Sequence, residues 1–182
     1  MKLVHLETDR LILRPILVSD THDLFELDSD PEVHRYLGNE PLKTIDQVPA
    51  IINHIHNQYT ANGFGRLAVE LKDSGEFIGW SGLKYETEIR DFNYTDLGYR
   101  LMPKYWGNGY ANESSIAALD WGFKHLNTDL ICAAVAPGNV ASQTVLQKLH
   151  FEEKEQFDFE NLPHHWFEMT RGRWFKKESV FS

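Results

Sequence analysis

The residues richest in chemical content are Trp106-Gly107-Asn108-Gly109-Tyr110-Ala111, two glycines one residue apart at the opening of a long helical pattern. Just before them an apolar strand pattern runs up to Leu101-Met102 and breaks at Pro103, so the order is strand, glycine loop, helix. Glycine removes the Cβ that would hold an anion off the backbone, and the first NH groups of a helix are unpaired at the positive end of its dipole. Such a loop takes a phosphate or pyrophosphate, although two glycines also suit an ordinary turn. Two familiar phosphate loops fail on register. A P-loop needs Lys and then Ser or Thr after its last glycine, where this chain has Tyr110 and Ala111, and the dinucleotide fingerprint needs a third Gly or Ala where Asn112 stands.

One strand further on, after the apolar run Leu130 to Val135, Pro137-Gly138-Asn139 leads into Asn139-Val140-Ala141-Ser142. Taken alone, Asn139 and Ser142 are a helix cap and a first-turn hydroxyl. Behind a glycine phosphate loop they read better as cofactor contacts. The first segment resembles motif A of the GNAT superfamily of N-acetyltransferases, Gln/Arg-x-x-Gly-x-Gly/Ala, with Trp106 in place of Gln/Arg. The second resembles its motif B, Asn-x-x-Ser-x-x-x-x-x-Lys-x-Gly-Phe, with His150 in place of Gly before Phe151. The wording Tyr105 to Ser114 is similar to the ribosomal-protein N-terminal acetyltransferase branch (RimJ/RimL-like), and the likeness runs from about Glu7 to Arg173.

That resemblance implies one domain over residues 1–182 in the α/β (α+β) class: a GNAT-like mixed, mostly antiparallel sheet of about seven strands with helices on both faces. It implies acetyl-CoA as cosubstrate. The strand ending at Leu101 and Met102 would splay from the Leu130 to Val135 strand and lend backbone groups to pantetheine. Gly107, Asn108, Gly109, Tyr110, Ala111 and Asn112 would hold the pyrophosphate, and Asn139 the pantetheine arm. The reaction is direct attack of a neutral amine on the thioester carbonyl, which needs a base, a polarised carbonyl and a proton for the departing thiolate. Many relatives place a tyrosine acid in the helix after motif B, where this chain has Leu146 to Leu149, so Ser142 is the candidate acid or donor to sulfur. The branch resemblance places the base carboxylate at Glu160, with Asp96, Glu70, His164 and His165 as alternatives. The acceptor it favours is a protein amino terminus such as a ribosomal protein's. A small amine (polyamine or aminoglycoside) is the alternative enzyme reading, a noncatalytic acyl-CoA sensor the reading from another class, and the assembly a monomer or homodimer.

Composition agrees with a single domain. A chain of 182 residues buries roughly 70% of its unfolded surface. Cys132 is its one cysteine, in an apolar setting, which excludes an intrachain disulfide and suits a reducing compartment. Twenty-seven acidic against 18 basic residues, a net charge of −9, disfavour nucleic-acid backbone as a partner. The start MKLVHLETDRL lacks a signal-peptide core, and no run of about 18 apolar residues suggests a membrane partner, so a cytoplasmic protein is expected. His54 and His56 lie two apart on a helix and point in different directions, a poor metal pair, and no metal is expected.

The elements that must position these groups are legible in order. Leu11 to Pro15 reads as a strand. Ser19 or Asp20 caps a helix with Leu24, Phe25 and Leu27, and Pro31 opens another through Val33, Tyr36 and Leu37 to Gly38; both look like lid helices. Thr44 and Gln47 form a capping box ahead of Val48, Ile51, Ile52, Ile55 and Tyr59 at helical spacing. Arg66 to Lys72 and Glu76 to Tyr85 form a hairpin in which Gly79 and Gly82 mark a bulge or a substrate wall. Asn93-Tyr94 to Leu101 is the central strand, followed by a helix from Ala111 with Ala118, Leu119 and Phe123 on one face. Glu152 to Asp158 and His165 to Phe175 read as two final strands joined by Phe159 to His164, and His150 is expected to carry strain in a left-handed position.

Overall fold

The computed structural model describes residues 3–178, so the first two and last four residues of the expected 1–182 domain lie outside the described residues. The chain order is β1 (Leu6–Glu7), β2 (Leu11–Pro15), α1 (Thr21–Ser29), α2 (Pro31–His34), α3 (Val48–Asn62), β3 (Arg66–Leu71), β4 (Phe77–Glu86), β5 (Tyr94–Leu101), α4 (Tyr110–His125), β6 (Leu130–Val135), α5 (Val140–Lys148), β7 (Glu152–Phe159), β8 (Leu162–Thr170) and α6 (Arg171–Glu178). The strands form one sheet in the order β1-β2-β3-β4-β5-β6-β8-β7. Only β5 and β6 are parallel; every other neighbouring pair is antiparallel. The mixed, mostly antiparallel sheet is as expected, with eight strands rather than about seven. The addition is β1, two residues that pair Leu6 with Leu13 at the edge.

Alternation along β5 explains why helices cover both faces. Leu97 packs with Leu119 and Phe123 of α4 and Leu146 of α5, whereas Met102, just beyond the strand, packs with Leu24 of α1 and Ile52 of α3. The capping box forms as read: Gln47 Oε1 accepts from Thr44 N at 3.0 Å, and Gly63 ends α3 in the left-handed region at φ 81°. Asp20 stands at the N-cap of α1 but makes no cap bond to that helix; its carboxylate instead accepts from Leu17 N at 2.8 Å, closing the preceding turn, and takes both terminal nitrogens of Arg14, the stronger electrostatic partner.

The carboxyl end is a correction. The final strand is Leu162–Thr170, and Trp174 and Phe175 lie on α6, where they pack on the α4 side of the sheet. The expected loop from Phe159 to His164 contracts to a turn centred on Glu160 and Asn161, both at positive φ (51° and 62°), which matches the twist of the flanking strands. Gly79 does mark a bulge: the β3–β4 register shifts between Val69 and Glu70, opposite Gly79 and Phe77. His150 takes φ 66° at the end of α5, with His150 N bonded to Gln147 O and Phe151 N to Leu146 O, so an imidazole-bearing residue carries the left-handed cap that Gly would fill without strain.

Candidate functional site

The glycine loop is built as an open cradle. Gly107 and Gly109 have φ of 78° and 83°, a region costly for a residue with a Cβ, and nothing lies within 4 Å of where a Cβ on Gly107 would stand. The first intrahelical bond of α4 runs from Glu113 N to Gly109 O at 3.0 Å, which leaves the NH groups of Tyr110, Ala111 and Asn112 at the helix start without helical partners. Asn108 turns its side chain inward, Nδ2 donating to Tyr105 O and Trp106 O. Trp106, which stands where Gln or Arg was expected, donates Nε1–H to Leu101 O at 2.7 Å and so ties the loop to the end of β5.

A brace on this loop escapes sequence reading. Arg10, between β1 and β2, donates Nη1–H to Asn108 O at 3.1 Å, pairs with Glu113 through Nε at 2.7 Å, and lies 4.5 Å over the Tyr110 ring. Burial works to raise the Glu113 carboxyl, but hydrogen bonds from Thr8, Arg10 N and the guanidinium outweigh it and hold it below the usual carboxylate value.

The expected splay is present. β5 and β6 pair only at Thr95–Ile131 and Asp96–Cys132, so from Leu97 to Leu101 and from Ala133 to Val135 the two strands part. Met102 N donates to Ile78 O at 3.0 Å, and Met102 O accepts from Tyr105 N, so its NH is committed while its carbonyl keeps a second lone pair for a ligand. In the alternating antiparallel ladder Leu101 N therefore points away from β4 and into the gap. Across that gap Asn139 Oδ1 caps α5 by accepting from Ser142 N at 3.1 Å, while Ser142 Oγ has no hydrogen-bond partner among the described residues. Tyr99, also missed, donates its hydroxyl to Ser142 O at 3.1 Å and bridges β5 to α5; its place two residues after Leu97 on an alternating strand was the available signal. Burial pushes the phenol up, well out of reach of physiological pH.

The candidate bases prove unequal. Asp96 is buried and bound to Arg66, which also donates to Gly82 O and Asp96 O. Glu70 accepts from Arg14 at 2.9 and 2.6 Å, and His165 Nδ1 lies 2.5 Å from Glu153 Oε1. His164 Nδ1 contacts Leu162 O at 3.0 Å, and its ring sits beside Phe157. Glu160 occupies the exposed turn and takes no hydrogen bond among the described residues. Because Val135 pairs with His165, this turn projects beyond the carboxyl end of β6, on the side where the gap opens. Trp80 lies between two guanidiniums, Arg66 at 5.3 Å and Arg100 at 5.1 Å, and Arg100 Nη1 donates to the buried Asp28 at 2.6 Å. Over them, the chain after α2 reaches across, and the Tyr36 ring rests on Gly138, where an added Cβ would lie 2.9 Å from Tyr36 Cε1.

His56, one of the two helix histidines, meets Ile16 O at 2.8 Å, and among the described residues no group of three or more His, Cys, Asp or Glu could hold a metal ion. Cys132 is fully buried and its thiol is pushed up by burial, as befits a core residue. No helix among the described residues is long and apolar enough to cross a membrane.

An unobstructed cradle of helix-start NH groups beside a strand gap fits a pyrophosphate joined to an extended thioester arm, which is the form of acetyl-CoA. The comparisons agree. Residues 10–152 match the acetyltransferase (GNAT) domain. The Bacillus subtilis N-acetyltransferase YoaA is 33% identical over 159 residues, covering 86% of this chain and 89% of that protein. A Vibrio cholerae spermidine N-acetyltransferase, solved with CoA and spermine, superposes with a TM-score of 0.74 at 20% identity over 92% of this chain and 99% of its own. The ribosomal-protein-S5-alanine acetyltransferase of Vibrio fischeri does so with a TM-score of 0.74 at 22% identity over 94% and 98%. Strand, cradle, gap and sequence match together make this chain a member of the GNAT acetyltransferase family, an N-acetyltransferase that uses acetyl-CoA.

Proposed function

We propose that the acceptor is a protein amino terminus, and that one observation favours it over a polyamine. Arg100 Nε is buried and has no partner among the described residues, on the face of β5 beneath the α1–α2 cover. A buried donor without an acceptor is costly, and a peptide amino terminus that enters beneath the α1–α2 cover would bring a carbonyl oxygen beside its amine to satisfy it. Arg66 and Arg100 on this floor already occupy Asp96 and Asp28, so these residues leave no unpaired carboxylate for the second ammonium of a polyamine. The second reading, a small amine, draws support from the net charge of −9 and from the likeness to the Vibrio cholerae spermidine enzyme.

In this reading Gly107, Asn108, Gly109, Tyr110, Ala111 and Asn112 form the pyrophosphate cradle. Leu101 N, the carbonyl of Met102 and the side-chain amide nitrogen of Asn139, which has no hydrogen-bond partner among the described residues, line the arm. Acetyl-CoA supplies the acetyl group and a thiolate leaving group. The Ser142 hydroxyl donates to the departing sulfur, a role open to it because its Oγ is uncommitted. Glu160, at the mouth of the gap, draws the acceptor ammonium in.

The test is release of CoA thiol from acetyl-CoA in the presence of amino-terminal peptides of ribosomal proteins, polyamines and aminoglycosides, side by side. Peptide-dependent release is the expected result, and release with polyamines alone would transfer the assignment to the second reading. In parallel, Gly109→Trp should abolish acetyl-CoA binding in calorimetry while leaving the circular dichroism of the fold intact. Retained affinity would remove the pyrophosphate from the loop.

A further inference from the structure

Three buried nitrogen atoms converge on the acceptor side of β5 with no hydrogen-bond partner among the described residues: Nδ1 and Nε2 of His34 and Nε of Arg100. His34 is 7% exposed and closes α2. Its Nε2 lies 3.8 Å from Asp28 Oδ1, the same oxygen that takes Arg100 Nη1 at 2.6 Å, and Asp28 is 1% exposed. Two residues on, Tyr36 lies against Gly138, beside Asn139, so His34 sits under the segment that roofs the gap between β5 and β6. Folded proteins seldom leave both nitrogens of a buried imidazole unbonded without a functional cause.

The charged groups facing this ring are Asp28 from α1 and Arg100 from β5; on its own stretch Glu32 and Arg35 pair with each other at the exposed surface. Burial lowers the affinity of the ring for a proton, Arg100 lowers it further, and Asp28 offsets only part of this. The imidazole is therefore neutral near pH 7 and has a lone pair to offer.

We propose that His34 is the proton acceptor for the substrate ammonium, with Asp28 as the group that orients its ring. The proposal rests on the acetyltransferase reading of the cleft. With Nε2–H turned to Asp28, Nδ1 carries the lone pair. Nδ1 is buried in the unliganded protein, so the ammonium meets it only where the acceptor displaces the α1–α2 cover; there an N–H bond of the ammonium breaks and an Nδ1–H bond forms, and the new imidazolium faces the Asp28 carboxylate, across a distance that tightens once the ring is charged. The freed amine forms its N–C bond to the acetyl carbon as the C–S bond breaks. A second proton from that nitrogen goes to the sulfur, and the proton on His34 returns to solvent. The geometry parallels the base-and-orienter pairs of hydrolases, but here the base generates the nucleophile on the substrate.

The experiment compares His34→Gln and Glu160→Gln with the wild type in acceptor-dependent CoA release across pH. His34→Gln should lose about a hundredfold in kcat/KM near pH 7, the usual order for a general base, and keep its acetyl-CoA affinity. Its deficit should narrow as pH rises toward the acceptor's own ionisation. Wild-type rate should fall on acidification as the ring takes up its proton, and Glu160→Gln should stay within about threefold of wild type, the scale of a lost attraction at an exposed charge. Wild-type rate and pH profile in His34→Gln, or the larger loss in Glu160→Gln, would overturn the assignment. Should His34→Gln not fold, the wild type answers by histidine NMR: a His34 ring charged near pH 7 sinks the proposal, a neutral one that titrates below the ordinary imidazole range supports it. A wild type that releases no CoA with any acceptor fails the underlying reading instead.

Discussion

At the scale of residues, Gly79 shows how closely the acceptor-side floor is drawn together. A Cβ there would stand 2.1 Å from Arg100 O and 2.7 Å from Leu101 Cα, both backbone atoms of β5, and φ is 143°. Neither clash yields to a side-chain rotation. Gly79→Ala should therefore destabilise the protein by about 3 kcal/mol, the upper range of overpacking, which for a chain of this size lowers Tm by roughly 6 to 12 °C in calorimetry. A loss no greater than that of Gly75→Ala, whose Cβ would meet nothing within 4 Å, would show that the strands part easily. Gly79 was legible from sequence because glycine inside a strand has few explanations. His34 was not, since its neutrality depends on burial and on Arg100, 66 positions along the chain.

Among the elements, the loop before α4 depends on a strand from the far edge of the sheet. Arg10 holds Asn108 O and Glu113 and covers Tyr110, so the cradle is shaped before any ligand arrives. Preorganisation of this kind acts on affinity by sparing the loop an ordering cost. Arg10→Ala should weaken acetyl-CoA binding by about tenfold in calorimetry, roughly 1.4 kcal/mol, with little change in Tm because half of the Arg10 side chain is exposed. Unchanged affinity would mean the loop holds its form alone. Sequence reading recovered the loop and the helices before α6 because each has a local period or a turn residue, and the splay because the family resemblance implies it. It missed the brace because a single long-range ion pair leaves no local trace. The end of the chain misled for another reason: Glu160 and Asn161 make their tight turn without a glycine, so the hairpin lacked its usual signal, and Trp174 and Phe175 were counted into a strand that had already ended at Thr170.

For the molecule as a whole, one sheet separates two chemical compartments. The α4 side holds the cradle, Tyr99 and Ser142, and the other side holds Trp80, Arg66, Asp96, Arg100 and the α1–α2 cover. The gap between β5 and β6 is where the two communicate, so a donor from one face can meet an acceptor from the other without either crossing the core. The indole of Trp106 has a consequence of its own here. It is 49% exposed and tied to Leu101 O beside the cradle, while Trp80 and Trp121 are half-buried and Trp166 and Trp174 are 1% and 3% exposed. Excited at the red edge of tryptophan absorption, this most exposed of the five indoles contributes the reddest emission, so filling the cradle should shift the spectrum toward the blue, an effect absent in Trp106→Phe. The protein thus carries its own optical gauge of cofactor occupancy, readable in a cuvette without label or acceptor.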